Sequence, residues 1–328
     1  MNQHRVLFDV PLEPMIGSRF QPTGFPDLGP GEFQRPDGTN CLLVESAQSM
    51  ANHLEGQAWS EPDNDQMSVF TGLPYVRVLD SAGSFLTSSR TEAHRLASAF
   101  VKESKSPSGP MLDVIRDRFG LSADSPMDHR RIARELFKLD PFCLLHGVFF
   151  ADSKWPGQPK IARALTGFIE ASGVRRADSG GVKKDHVRHA ITEGSGGSSE
   201  GYGSVPFART EWTSESIVAS FSLDLKQLRS YGLPDYATQL LADIAHWEIA
   251  SLLEGGLRLR TACDLTTVSD DVRGRDGVVL ASSDELGERI KAGIRHCGDL
   301  LSEAKILEVT WNGGRKPKKG EAAEEAGE

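Results

Sequence analysis

The chain opens on an alternation. Val6, Phe8, Val10 and Leu12 are separated by Leu7, Asp9 and Pro11, which predicts a strand with one apolar face. From Gly17 to Gly38 the pattern dissolves into Gly, Pro and Asp, predicting an extended loop without regular structure. Leu42, Leu43, Ala47, Met50, Ala51 and Leu54 then recur at helical spacing, so Val44 to Glu55 is expected to be a helix. Between about Thr91 and Leu139 several helical segments follow, interrupted at Ser106 to Pro110 and at Ser125-Pro126, and together they read as a helical insertion. Leu144 to Phe150 is an apolar run of strand length, and Ile217 to Leu225 alternates as a strand does. Tyr236, Leu240, Leu241, Ile244, Trp247 and Leu252 mark one face of a long helix, and Leu257 to Ala262 a short strand. Ser282 and Glu285 form a capping box before Leu286, Ile290, Ile294 and Leu301, and Ile306 to Val309 predicts a last strand. Strands and long helices alternate without a regular βα repeat. The expected class is therefore α+β, an antiparallel sheet backed by helices, and a ferredoxin-like (RRM-like) core with insertions fits best.

Composition adds little to the fold but bounds the setting. With 328 residues and 38% hydrophobic content the chain can bury one large core or two small ones. Cys41, Cys143, Cys263 and Cys297 lack the spacing of a zinc site or a disulfide framework and read as buried thiols of a reducing cytosol. Met1 to Leu12 lacks the uninterrupted apolar stretch of a secretory signal, and no segment suggests a bilayer span, so a cytoplasmic protein without membrane contact is expected. From Gly313 onward, Arg315, Lys316, Lys318 and Lys319 balance Glu321, Glu324, Glu325 and Glu328 without apolar anchors, which predicts a disordered tail over 313–328.

Net charge is -9, against the basic excess usual for a nucleic-acid partner. The average hides a local reversal. From Lys154 to His189 the basic residues Lys154, Lys160, Arg163, Arg175, Arg176, Lys183, Lys184 and Arg188 face only Glu170, Asp178 and Asp185, a local +5 that would suit phosphates.

Several motifs point elsewhere and fail on context. Gly197 to Gly201 spells a nucleophile elbow, but its Gly/Ser flanks supply neither the strand nor the helix that would strain Ser199. Ser179 to Lys184 lacks the Walker spacing of a phosphate loop. His186 and His189 find no carboxylate or cysteine set to complete a metal sphere. Asp27 and Asp37 lie in the first long loop, where an aspartate could assist RNA cleavage but more commonly forms a turn. The RNP aromatic signature is not visible. Neither metal nor cofactor is expected.

Three stretches resemble one family: Gly17-Ser-Arg-Phe-Gln-Pro-Thr-Gly-Phe-Pro26, Leu42-Leu-Val-Glu-Ser-Ala-Gln-Ser-Met-Ala-Asn52 and Gly256-Leu-Arg-Leu-Arg-Thr-Ala-Cys-Asp-Leu265. Together with Ser179 to Asp185 and Tyr202 to Phe207 they are similar to the backbone subunit of type I CRISPR surveillance complexes (Cascade), within the RAMP superfamily, and to its type I-G branch. The resemblance implies one domain over 1–312 shaped like a right hand: a ferredoxin-like palm, a helical finger insertion over about 80–141, and a thumb over about 189–207. It implies a non-catalytic subunit that polymerises along crRNA, leaves the bases free to pair with target DNA, and contacts further copies of itself and the large and cap subunits. Related type III subunits cut RNA, so an endonuclease is the alternative.

Under this resemblance the RNA contacts fall on Arg19, Gln21 and Thr23 of the first loop and on Ser46, Gln48, Ser49 and Asn52 at the start of the following helix. A helix N-terminus offers free N–H groups and a positive dipole end, which suits a phosphate independently of any family. Arg163, Lys183 and Lys184 are the expected charge contacts; His189, Ile191 and Tyr202 flank the Gly/Ser-rich thumb. Arg258 and Arg260 alternate with Leu257 and Leu259, so both guanidiniums are expected on one face, against successive phosphates.

Overall fold

The first alternation folds as its spacing predicts: β1 (Arg5–Pro14) buries Val6, Phe8, Val10 and Leu12 on one face. The computed structural model describes residues 4–25, 27–184, 186 and 203–313. The expected loop after β1 is partly sheet. β2 (Gly24–Phe25) and β3 (Gly29–Gln34) pair along β4 (Asn40–Glu45), and β3 is almost wholly exposed, so it carries no apolar alternation to announce it. α1 (Ala47–Gly56) starts three residues later than its spacing suggests, because Val44 and Glu45 complete β4. Ser46 is its N-cap, with Oγ accepting a hydrogen bond from the Ser49 N–H at 3.2 Å.

The helices of the expected insertion sit within a larger, mixed lobe. After a small ribbon, β5 (Trp59–Ser60) with β6 (Asp65–Gln66), come β7 (Tyr75–Leu79) and β8 (Phe85–Ser88). Then follow α2 (Ala99–Lys102), β9 (Lys105–Ser106), β10 (Gly109–Pro110), α3 (Met111–Phe119) and α4 (His129–Leu139). The run from Leu144 to Phe150, expected as a strand, is mostly helical. α5 (Phe142–His146) is buried on every side, so it shows no periodicity, and only β11 (Val148–Phe149) beyond it pairs, with β12 (Lys160–Ile161). Gly147 makes the corner at φ 79°, where a Cβ would stand 2.8 Å from the Ile161 carbonyl oxygen.

The remaining elements are β13 (Leu165–Ser172), β14 (Arg175–Lys183), β15 (Val205–Thr213), β16 (Ser216–Asp224), α6 (Leu225–Ser230) and α7 (Asp235–Glu254). β17 (Leu257–Arg260), β18 (Cys263–Thr267), α8 (Ser283–His296) and β19 (Ile306–Thr310) close the fold. The main sheet runs β17-β18-β1-β16-β13-β4-β3-β2 with every neighbour antiparallel. α1 and α7 pack on its apolar face. Gly167 of β13 lets α1 approach, since a Cβ there would meet Phe221 at 2.7 Å and Met50 at 3.0 Å. The sheet curls until β17 faces β4, and Arg260 spans the gap: Nη1 donates to the Gln21 and Val44 carbonyls at 3.1 and 3.0 Å, and Nη2 pairs with Glu45. A second sheet, β10-β9-β19-β7-β8, belongs to the mixed lobe, and its centre is the C-terminal β19, parallel to β7. All four cysteines are buried and unbridged, as their spacing predicts.

A buried polar seam joins lobe and sheet. The Arg90 guanidinium lies 2.8 Å from Asp140 and 3.5 Å above the Phe142 ring, while Arg95 pairs with Glu55 of α1. His146 Nε2 sits 3.0 Å from both carboxylate oxygens of Glu248. Burial pulls His146 down to about 4 and pushes Glu248 well up, so the pair holds one proton between them. His246 stands apart, edge-on to Phe8 at 5.9 Å, and burial, with Arg289 adding to it, holds it down to about 4. Its stabilisation is complete above its ordinary value of 6.5 and is lost as the pH falls from there toward about 4. Urea unfolding at a series of pH values is expected to show this loss, and His246→Gln to reduce the slope by about one proton, or about 1.4 kcal/mol per pH unit. An unchanged slope in the variant would exclude His246 as its source.

Candidate nucleic-acid interface

β13 and β16 do not end at the sheet margin. Beyond Gly173 and Glu215 the same two paths continue as a ribbon, β14 against β15, paired from Arg175↔Thr213 to Lys183↔Val205. The segment Ser179 to Lys183, which lacks the spacing of a phosphate loop, is strand. Lys183 and Lys184 are exposed at the far end, where Val182, Val205 and Phe207 also stand half in solvent. Of the expected thumb, Val205 to Phe207 lie in β15; His189, Ile191 and Tyr202, like the Gly197 to Gly201 motif, fall outside the described residues. So do residues 314–328 of the expected disordered tail.

The first loop is fastened to the ribbon's root. Phe20 exchanges both backbone hydrogen bonds with Trp212 at 2.9 Å, Gln21 N–H donates to Ala262 O at 2.8 Å, and Thr23 N–H donates to Val44 O at 2.9 Å. These bonds bridge the ends of the curled sheet and place Gln21 and Thr23 in one groove with Thr210, Trp212 and Arg260. Arg19 lies in a neighbouring depression with Arg209 and Glu211.

At the start of α1, Gln48 and Asn52 are exposed one turn apart and Ser49 is partly buried. Arg163 reaches this helix end, donating to Ala47 O at 3.1 Å and to Gln48 Oε1 at 3.3 Å, and burial lowers its pKa. Ser46 is a cap, the plain reading of its sequence position, and its hydroxyl oxygen is already engaged.

Two expectations change. Arg258 and Arg260 do not stand free on one face: the pairing of β17 with β18 slips between them, Arg258 is exposed, and Arg260 is consumed in the clasp to Glu45. The basic stretch from Lys154 onward is not one strip either. Lys160 lies over the Phe149 ring at 5.4 Å, and Arg163 is at one end of β13 while Arg175 to Lys184 begin at the other, about 25 Å away at 3.3 Å per strand residue. Asp37 is a turn former, accepting from Thr39 N–H at 2.9 Å, which lowers its pKa, and Asp27 is exposed in the turn before β3. Thr210, Trp212, Arg209 and Glu211 were not singled out in the sequence. Alternation through Phe207, Arg209 and Glu211 was the available signal, masked by the Gly/Ser-rich run before it.

Residues 6–176 match the family described as CRISPR-associated protein GSU0053 (Cas_GSU0053). The chain belongs to that family. Its matched part extends from β1 into the start of the ribbon and includes the first loop, α1 and the mixed lobe apart from β19. Among solved structures this GSU0053-family chain is similar to one described as a CRISPR RNA-guided surveillance complex, pre-nicking, at 14% identity and a TM-score of 0.41, covering 94% of this chain and 96% of that one. It is also similar to the crystal structure of Thermofilum pendens Csc2, at 9% identity and a TM-score of 0.30, covering 90% and 76%. No curated protein matches. Among the described residues of this family member no helix is long and apolar enough to cross a membrane.

Proposed function

We propose that the chain is a non-catalytic, crRNA-binding backbone subunit of a type I CRISPR surveillance complex, of the I-G branch, acting in the cytoplasm. Membership of a CRISPR-associated family carries the setting. The observation that carries the binding role is the ribbon: a two-stranded extension of the central strands, basic at its far end, with the first loop fastened across its root. Along the chain β1, α1, β13, β16, α7 and β18 follow one another, with spatial order β18-β1-β16-β13, and we read this path as a ferredoxin-like palm. In the same reading the mixed lobe is the finger and the ribbon the thumb. RNA runs past Arg19, Gln21, Thr23, Gln48, Ser49 and Asn52 and is gripped by Lys183 and Lys184, while its bases pair with target DNA. Arg163 and Ser46 support the helix end, and Arg260 supports the loop. Repeated copies line the guide, with large and cap subunits at the ends.

Neutral donors and few cations reconcile this role with a net charge of -9. Asp37 gives the endonuclease alternative no support, since its carboxylate is occupied in a turn. Coexpression with a CRISPR array is the test. The reading expects copurified RNA of one discrete length, and protein free of nucleic acid would reject it.

A further inference from the structure

The groove at the ribbon's root is polar without offering a free charge. It lies between the β2–β3 hairpin and β15 and has a volume of about 310 Å³, at the small end of the range for ligand clefts. Its hairpin side has no long side chain. Gly24 and Gly29 approach so closely that a Cβ on Gly24 would stand 2.8 Å from the Gly29 carbonyl oxygen, and Pro22 and Pro30 add only their rings. Thr210 and Trp212 line it from β15. A groove with one flat wall suits a planar ligand.

The polar groups choose which one. Arg260 is the ionisable residue of the lining, and its guanidinium is committed to Glu45 and to the Gln21 and Val44 carbonyls, so no free cation is left for a phosphate. Thr210 Oγ1 is engaged as well, donating to Asp178 and accepting from Arg176, both at 2.9 Å. The Gln21 amide and the Thr23 hydroxyl remain: both residues are half-buried, and neither side chain is hydrogen-bonded among the described residues. An amide and a hydroxyl each donate and accept. A nucleobase presents a flat face to the wall and an edge of donors and acceptors, and groups that can turn to either role match the edge of any base. We infer that the groove takes one nucleobase of the bound strand, held at its edge by Gln21 and Thr23 whatever its identity. This rests on the RNA-binding reading above and names what this part of the first loop grips: a base, not the backbone.

The test measures anisotropy of labelled short strands with the full chain: RNA, and a strand of the same length whose riboses carry no bases. Wild type is expected to bind the intact strand about tenfold more tightly, the worth of two neutral hydrogen bonds, and to bind oligo(A), oligo(C) and oligo(U) within about threefold of one another. Gln21→Ala with Thr23→Ala is expected to lower the affinity for RNA about tenfold while leaving the baseless strand and the salt dependence unchanged. The backbone N–H groups of both residues keep their bonds to Ala262 and Val44 in that variant, so the loop stays fastened. Gln21→Asn with Thr23→Ser, which keeps an amide and a hydroxyl, is expected to recover part of the loss. Equal weakening of both strands would place these side chains on the backbone and overturn the inference, as would a wild type that binds the two strands alike. The wild-type comparison needs no variant and survives a variant that misfolds. A preference beyond about tenfold for one homopolymer would overturn the base-independent grip. Binding of neither strand by wild type would instead reject RNA binding itself, and this site with it.

Discussion

Arg260→Met is expected to lower the unfolding free energy by about 3 kcal/mol, read from urea denaturation at neutral pH. Glu45 is fully buried, and Arg260 is its cation. His53 Nε2, 3.9 Å from Glu45, cannot stand in, because burial lowers its pKa and keeps it neutral. The methionine retains the aliphatic stem but strands the carboxylate and the Gln21 carbonyl, while the Val44 carbonyl keeps the Thr23 N–H, and stranding one partner of a buried pair costs more than the pair itself contributes. Arg260 keeps about a quarter of its side chain in solvent, which sets the expectation at the low end of the range for such losses. A loss below about 1 kcal/mol would show that the clasp is dispensable. Because the same guanidinium fastens Gln21, RNA affinity is expected to fall alongside stability, through the loop and not through a lost phosphate contact.

The second large effect concerns the ribbon. Lys183→Ala with Lys184→Ala removes two exposed cations from its far end and is expected to leave stability unchanged. Each single-strand phosphate contact contributes about 0.7 to the slope of log affinity against log salt, so the double variant should lose about 1.4 from that slope. Between 50 and 200 mM salt this amounts to roughly a sevenfold smaller loss of RNA binding than in wild type. An unaltered slope, or unaltered guide occupancy in the purified complex, would remove both lysines from the interface.

Where periodicity is one-sided the sequence is a sound guide: β1, β16 and α8 lie where alternation or capping predicts them, since each has one more buried and one more exposed face. It misleads where burial is uniform or absent. α5 is buried all round and passes for a strand, and β3 is exposed nearly throughout and passes for a loop. The interface divides the same way. Gln21, Thr23 and Arg260 were singled out and do converge, but the purpose of Arg260 depends on a curl of the sheet that no local pattern encodes. Glu211 and Arg209 gain meaning only once the loop bearing Arg19 crosses the ribbon, a contact between residues about 190 apart in sequence that local spacing does not express.

The placement of β19 bears on how such a chain can be altered. The lobe between β7 and α4 looks like a cassette that insertion or exchange could replace, yet its middle strand arrives from the opposite end of the polypeptide. Transplanting residues 75–139 alone would carry β7 and β9 without the strand that joins them, leaving two open hydrogen-bonding edges ready to recruit another chain. A graft of the lobe must therefore bring Ile306–Thr310 with it, and a truncation that removes those five residues splits the lobe's sheet down its centre.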